Sequence, residues 1–148
     1  MLITIRKAIL EDIPWILEEL KKFSKFYETK NNLFPSESHA SVKLGELIEG
    51  HVAFIAEEEV LKMGFIIGVH NQHFFNPALT VLTEIFWWVK EEYRGTRAGY
   101  MLLDNFINYG KVHADWVVMT LEEKSPVKDK ILLKKGFHLH ERSYLLEN

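Results

Sequence analysis

The spacing of apolar residues changes several times along the chain, and each change predicts a new element of secondary structure. Residues 2–8 (LITIRKA) alternate apolar and polar side chains, as a strand does, whereas residues 11–27 carry apolar side chains at helical spacing. A short helix is predicted over residues 41–50, ended by a glycine. Residues 51–59 and 61–71 are predicted to be two strands that form a hairpin around a charged turn.

The second half of the chain continues the alternation of strands and helices. Residues 80–92 are rich in β-branched and aromatic side chains and predict a central strand, followed by a glycine-containing turn and a helix. A further strand is predicted over residues 114–123, a short helix over residues 125–136 and a last strand over residues 137–148. The predicted order is β-α-α-β-β-β-α-β-α-β. Since no repeat or long linker interrupts it, residues 1–148 are predicted to form a single domain.

Composition and charge exclude several classes of function. Hydrophobic residues make up 47% of the 148 residues and charged residues 26%, which is typical of a globular protein rather than a disordered one. A net charge of −3 without any basic run argues against a nucleic-acid partner. The absence of cysteine excludes disulfides, thiol nucleophiles and thiolate metal sites. No apolar run is long enough for a signal peptide or a membrane helix, so we expect a cytoplasmic protein with no membrane partner.

Two arginines and two glycines lie where the central strand meets the next helix, in the sequence EEYRGTRAGYMLLDNF. The start of a helix presents unpaired backbone N–H groups and the positive end of the helix dipole, and together these favour a phosphate. Gly95 and Gly99 leave room for a ligand to approach the backbone, and Arg94 and Arg97 can add charged hydrogen bonds. The alternative is a tight turn with a solvated pair of arginines.

The segment VKEEYRGTRAGYMLL resembles the signature of the GNAT superfamily, the acyl-CoA-dependent N-acetyltransferases. Val89, Arg94, Gly95 and Gly99 are in register with the usual pattern, Val-x-Pro-x-x-Arg-Gly-x-Gly-x-Gly/Ala. The flanks agree, because ITIRKAILEDIPWILEEL resembles the family's first strand and helix and ILLKKGF resembles its closing LYEKLGF. The short chain and the strand TEIFWWV also look like GNAT proteins carried by tailed phages.

This resemblance implies the GNAT fold, an α/β (α+β) architecture with a mixed, mostly antiparallel sheet of about six strands and about four flanking helices. The sheet would be splayed where acetyl-CoA, the co-substrate, binds. Backbone atoms of Trp87, Trp88 and Val89 would pair with the pantetheine arm. The residues implied around the pyrophosphate are Arg94, Gly95, Thr96, Arg97, Ala98, Gly99 and Tyr100. Two positions depart from the pattern, because Arg97 replaces its middle glycine and Glu91 replaces its proline.

Glu84, in the central strand, is implied as the general base, since GNAT enzymes often place a carboxylate here that takes the proton of the amine, usually through water. Its neighbours Ile85, Phe86 and Trp87 are expected to raise the pKa of its carboxyl group. Strand alternation puts Glu84 on the same face as Phe86 and Trp88 unless a bulge intervenes. The alternative is a structural role, as a cap of the strand or the partner of a surface lysine.

The general acid has no clear position in the sequence. The family's usual tyrosine falls at Leu132, which has no proton to give, and the asparagine that often starts the same helix falls at Ser125. Tyr144, Tyr100 and Tyr93 are the substitutes, with Tyr144 as the first candidate. Coenzyme A thiolate is a fair leaving group, so solvent can also deliver the proton.

The leading interpretation is an N-acetyltransferase that transfers the acetyl group of acetyl-CoA to a primary amine of a small molecule, a peptide or a protein lysine. Glu28 and Glu84, expected near the mouth of the site, suit a cationic amine. The alternative is a non-catalytic GNAT-like module that binds acyl-CoA or a protein partner. A homodimer is left open, and a phage-encoded protein would work in the cytoplasm of its host.

Histidine pairs are the remaining candidates for chemistry. His138 and His140 share a face of the predicted last strand, and His70 lies near His73. No third ligand accompanies either pair, so no metal is expected. A histidine of the second pair could instead line an acceptor cleft.

Overall fold

The computed structural model describes residues 2–27 and 29–148. This part of the chain contains five strands and four α-helices. In chain order they are β1 (Thr4–Lys7), α1 (Ile13–Phe23), α2 (Glu37–Gly50), β2 (Val52–Glu58), β3 (Leu61–Gln72), β4 (Thr80–Val89), α3 (Ala98–His113), β5 (Trp116–Val118) and α4 (Asp129–Lys134). None of the described helices has the length and apolar character needed to cross a membrane.

The five strands form one sheet in the order β1-β2-β3-β4-β5. Neighbouring strands are antiparallel except β4 and β5, which are parallel. The prediction of a mixed, mostly antiparallel sheet with four helices is therefore confirmed. The prediction of a last strand is wrong, because residues 137–148 contain no strand. β5 is the edge strand at the end of the sheet opposite β1. Its three residues are too few to hold another strand in a stable ladder.

Helices cover both faces of the sheet, which explains why its central strands are apolar almost throughout. On one face α1 and α2 pack against the sheet through a cluster that includes Ile16, Leu17, Leu20, Leu44, Ile55, Phe65, Ile67 and Trp88. On the other face α3 packs through a cluster that includes Phe54, Met63, Ile66, Leu82, Ala98, Leu102 and Phe106. Gly68 allows α3 to lie this close, since a Cβ atom there would be 2.6 Å from the Phe106 ring.

The short helix α4 packs against α3. Leu132 is buried beside Leu103 and Ile107, and an ion pair of 2.6 Å joins Lys135 to Asp104. The helix begins four residues later than predicted. Ser125 does not cap it, because its hydroxyl accepts a hydrogen bond from the Val127 N–H within a separate turn.

A buried carboxylate, Asp12, joins β1, the turn before α1 and β3. Its side chain is 2% exposed. It accepts hydrogen bonds from both terminal nitrogens of Arg6 at 2.8 and 2.9 Å, from the Ile9 N–H at 2.8 Å, and from the Lys62 ammonium at 3.0 Å. Burial alone would raise the pKa of Asp12, but these hydrogen bonds hold the pKa well below its usual value. The group therefore stays charged when buried and fixes three elements together.

Asp12→Ala should lower the free energy of unfolding by about 3 kcal/mol at pH 7, because it leaves two cations without their buried partner. The pKa of Asp12 is lower in the folded state, so its stabilising contribution is complete above the unfolded pKa of 3.8 and is lost as the pH falls below it. Urea unfolding of both proteins at several pH values measures this difference. Glu46→Ala, which breaks an exposed pair with Lys43, is the control and should cost less than about 1 kcal/mol. Equal losses of unfolding free energy in the two variants would contradict a stabilising role for the buried Asp12 carboxylate.

Candidate active site

The ladder between β4 and β5 ends after three residue pairs, and the strands then separate. The last pair joins Thr83 to Val118. β4 continues to Val89 and stays paired with β3 on both sides of Ile85, but in the described part of the chain residues 84–89 have no strand on the β5 side. The predicted splay beside the strand that ends at Val89 is therefore present.

The exposed edge of β4 presents backbone groups to this gap. Lys90 donates its N–H to the Met63 carbonyl at 2.9 Å, and the backbone groups of an antiparallel strand point to alternate sides along its length. Trp88 therefore bonds to β3, whereas Trp87 and Val89 direct their N–H and C=O groups into the gap. This edge can accept an extended chain with its own amide groups, as a missing strand would be accepted.

A bulge interrupts β4 at Ile85. Phe86 lies opposite Ile67 and Glu84 lies opposite Gly68, so Ile85 is an extra residue without a partner. Ile85 and Phe86 consequently both pack on the α1 side. The simple alternation expected from the sequence stops at this point.

Glu84 lies immediately before the bulge, where the two strands separate. It is 4% exposed, and its Oε1 accepts a hydrogen bond of 3.0 Å from the Thr120 N–H. Burial raises the pKa of the Glu84 carboxyl group to about 8, although the bond from Thr120 acts in the opposite direction. Within the described residues its other oxygen makes no hydrogen bond. The side chain thus bridges the separated strands with one oxygen and leaves the second for chemistry.

Glu84 lines a cavity of about 90 Å³ between β4, the end of α1 and the segment that follows β5. Its apolar walls come from Phe23, Phe26, Ile85, Trp87, Trp88, Leu121, Pro126 and Val127. Its polar lining comes from Tyr27, Glu84, Arg94, Thr120, Glu122 and Ser125. The cavity has the size of a small organic group and carries charged side chains of both signs.

Trp88 is held rigidly in this wall. Its indole N–H donates to Glu19, a buried carboxylate that also pairs with Lys22, and Phe23 and Phe26 meet its ring edge to face. The guanidinium of Arg94 lies 4.6 Å from the ring centroid of Trp88. A rigid aromatic surface therefore orients a cation beside the cavity.

The turn between β4 and α3 leaves backbone donors unpaired. Gly95 has a φ of 89°, which only glycine adopts readily. In the described structure the N–H groups of Gly95, Arg97, Gly99 and Tyr100 donate no hydrogen bond, while that of Ala98 meets the Thr96 hydroxyl at 3.3 Å. The exposed Arg97 adds a cation at the positive end of the dipole without a carboxylate partner among the described residues. Both features favour an anion at this turn.

The structure does not bring every expected residue to the cavity. The Arg94 side chain contacts Trp88, Phe26 and the Val89 carbonyl rather than the turn that follows it. Tyr144 is 88% exposed and does not line the cavity. Leu132 is buried against α3, and Glu28 lies outside the described residues.

Neither histidine pair lies at the cavity. His70 bonds to the Tyr109 hydroxyl at 2.8 Å, and His73 contacts Phe75 and Trp116. Among the described side chains, no three groups are close enough to hold a metal ion.

Tyr27 is a site residue that sequence reasoning missed, since it was counted only in the apolar stripe of the first helix. It lines the cavity, and its hydroxyl lies close to the carboxylate of Glu122. Burial, together with the charges of Glu122 and Glu84, raises the pKa of Tyr27 to about 12. The tyrosine therefore stays protonated beside two carboxyl groups. The sequence did contain a signal for Tyr27, because an amphipathic side chain stands there at the end of an apolar stripe and directly before a polar loop.

No family model matches the chain, and no curated protein matches it in sequence. Solved structures do match over nearly its whole length. A predicted acetyltransferase with acetyl-CoA from Clostridium acetobutylicum has a TM-score of 0.75 at 14% identity and covers 99% of this chain and 96% of its own. This is the GNAT fold.

Two further structures share this fold. A transcriptional regulator from Bacillus halodurans C-125 has a TM-score of 0.78 at 15% identity, over 99% of this chain and 100% of its own. A ribosomal-protein-alanine N-acetyltransferase from Brucella melitensis biovar Abortus 2308 has a TM-score of 0.71 at 14% identity, over 99% of both chains. At such identities the likeness shows the fold alone, and the chemistry must be argued from the site.

The raised pKa of Glu84 predicts a pH-dependent stability. Its protonated form stabilises the fold fully below the unfolded pKa of 4.5, and this contribution is lost as the pH rises through about 8. Glu84→Gln cannot ionise and keeps an oxygen for Thr120. The free energy of unfolding of the variant, relative to wild type, should therefore rise by about 1.4 kcal/mol per pH unit between about pH 5 and 8. Urea unfolding measures it, and the exposed Glu46→Gln is the control. A difference that does not change with pH would mean that Glu84 titrates normally.

Proposed function

We propose that this protein is an N-acetyltransferase that transfers an acetyl group from acetyl-CoA to a primary amine. The observation that carries the proposal is the continuity between the open edge of β4 and the unpaired amides at the start of α3. One end of this path can pair with amide groups and the other can hold a diphosphate. A carboxyl group, Glu84, lies beside the gap. Acetyl-CoA has matching parts in the same order. Its thioester would lie near Glu84, its amide-bearing arm along the edge of β4, and its pyrophosphate at the start of α3.

The residues present fit this co-substrate. The outward N–H and C=O groups of Trp87 and the outward N–H of Val89 would bond to the amides of the pantetheine arm, while the Val89 carbonyl accepts a hydrogen bond from Arg94 Nε. The pyrophosphate would lie on the N–H groups of Gly95, Arg97, Gly99 and Tyr100, with the Arg97 guanidinium beside it. Replacement of the usual glycine by Arg97 is compatible with this role, because its φ of −81° and ψ of −3° suit any residue and only its N–H is required.

Glu84 supplies the proton acceptor. In the transfer, the amine nitrogen forms a bond to the thioester carbonyl carbon, the carbon–sulfur bond breaks, and the amine loses a proton to Glu84. A carboxyl group with a pKa of about 8 is a stronger base than an ordinary one and is suited to this step near neutral pH. Tyr144 would have to move to protonate the leaving sulfur, whereas Tyr27 already lines the cavity and solvent can also serve.

A non-catalytic acyl-CoA-binding module is the second candidate, and Leu132 favours it. This buried side chain occupies the position where the resemblance implies a general acid. Isothermal titration with acetyl-CoA and a thiol-release assay with a broad panel of primary amines separate the two. Binding with release supports the enzyme, and binding without release supports the module. No binding would exclude both.

Glu84→Gln should lower turnover by about 100-fold near neutral pH, because the amine loses its proton acceptor. Acetyl-CoA affinity should hardly change, since backbone and phosphate contacts bind the coenzyme and glutamine still bonds to Thr120. The loss should shrink at high pH, where more of the amine is already neutral. Steady-state kinetics and titration calorimetry test both parts. A higher KM for the amine with an unchanged kcat would reassign Glu84 to acceptor binding.

Arg97→Glu should weaken acetyl-CoA binding by roughly tenfold or more, because it places a negative charge beside the pyrophosphate. The same change should leave the fold as stable or stabilise it by about 0.5 kcal/mol, since an acidic group suits the start of a helix. Weaker acetyl-CoA binding together with unchanged or higher stability distinguishes a lost contact from damage to the fold. Arg142→Glu, in the exposed C-terminal segment, is the matched charge reversal and should leave binding near that of wild type. Equal effects of the two variants would place the coenzyme elsewhere.

A further inference from the structure

We propose that the acceptor amine also carries a carboxylate, as an amino acid does, and that Arg94 binds this carboxylate in the cavity. The inference rests on the proposed function and names the class of its acceptor. It also gives Arg94 a partner other than the pyrophosphate that the sequence pattern implies.

The position of the Arg94 guanidinium carries the first step. The group lines the cavity together with Glu84, and its centre is 4.6 Å from the Trp88 ring and 5.8 Å from the Phe26 ring. Both rings belong to the wall on the α1 side, so the side chain points back along β4. The amides that begin α3 follow Gly95 in the chain, and the Arg94 side chain makes its contacts with residues that precede it. Arg94 is thus placed for the acceptor rather than for the phosphates.

The second step concerns the hydrogen-bonding groups of Arg94. Only its Nε is used, in a bond of 3.1 Å to the Val89 carbonyl, and within residues 2–27 and 29–148 neither terminal nitrogen has a hydrogen-bond or carboxylate partner. A guanidinium is planar, so its two terminal nitrogens can donate side by side in one plane. This geometry matches the two oxygens of a carboxylate.

The charged side chains that line the cavity also restrict its ligand. Glu84 and Glu122 also line the cavity, and the Glu122 carboxylate lies close to Tyr27. Among the described residues that line the cavity, Arg94 is the one cation and Glu84 and Glu122 are the acidic side chains, so the lining carries both signs of charge. A substrate with an ammonium and a carboxylate complements both. A simple monoamine would bury the guanidinium without a partner, and sites with an unpaired polar group strongly reject such analogues.

The cavity also limits the rest of the acceptor. Its volume of about 90 Å³ and its walls of Phe23, Phe26 and Trp88 suit a short apolar body between the two charged groups. A protein lysine has no carboxylate beside its side-chain amine. The acceptor is therefore a small free amino acid or a related amino carboxylate.

Matched acceptors test the proposal directly. Thiol release is measured with alanine against ethylamine, 4-aminobutanoate against propylamine, and phenylalanine against phenethylamine. In at least one pair, the kcat/KM of the amino carboxylate should be roughly tenfold or more above that of the matched amine. In Arg94→Gln the ratio of these two kcat/KM values should fall to near one. Arg94→Lys should keep part of the ratio, because the charge remains. Arg142→Gln, which removes an exposed arginine far along the chain, should keep all of it.

The outcomes separate this inference from the proposed function. If wild type turns over amines without preferring any carboxylated one, the inference fails and the enzyme stands. If Arg94→Gln weakens acetyl-CoA binding in calorimetry and leaves the ratio intact, Arg94 contacts the coenzyme and the inference is overturned. Calorimetry with the same amino acids in the presence of coenzyme A provides a readout that needs no turnover. Absence of both binding and release with every pair would defeat both proposals.

Discussion

Beyond Thr83 the backbone no longer joins β4 to β5, and one side-chain hydrogen bond, from the Thr120 N–H to Glu84, spans the separated strands. Every feature of the candidate site lies past this point. The open edge of β4, the cavity beside it and the turn that leads into α3 exist because no neighbouring strand fills the gap. A sheet paired along its full length would have no binding surface here. The separation is therefore the constraint from which the site follows.

The bulge at Ile85 and the burial of Glu84 belong together. An extra residue directs Ile85 and Phe86 to the same face, so the strand changes course where the carboxyl group meets the gap. Burial then disfavours the charged form of that group. The same physical cause thus lowers stability at high pH and produces a base stronger than an ordinary carboxylate.

Two buried carboxylates, Asp12 and Glu19, anchor the α1 side of the sheet. Asp12 fixes β1, the turn before α1 and β3 through its cations, and Glu19 fixes the indole of Trp88. Trp88 in turn orients Arg94, so a buried carboxylate at the back of the wall determines where a cation faces the cavity. Structural and chemical roles are consequently linked through direct contacts rather than through distant effects.

The sequence by itself determined the order of the elements through α4 and the strand–turn–helix junction, because each depends on local periodicity and on where glycine, proline and polar residues fall. The mixed sheet with its flanking helices was expected from the resemblance of the junction and its flanks to the GNAT pattern. Glu84 was named from the resemblance to the GNAT pattern, and the structure shows it buried where the two strands separate. The tertiary structure alone decided the rest. Residues 137–148 have a strand-like pattern but no adequate edge to pair with, the bulge depends on register with β3, and Arg94 turns toward Trp88 rather than the turn beside it in sequence. Tyr27 joins the cavity only because α1 ends beside β4. Pairing, register and side-chain direction depend on residues far apart in the chain, which a local pattern does not contain.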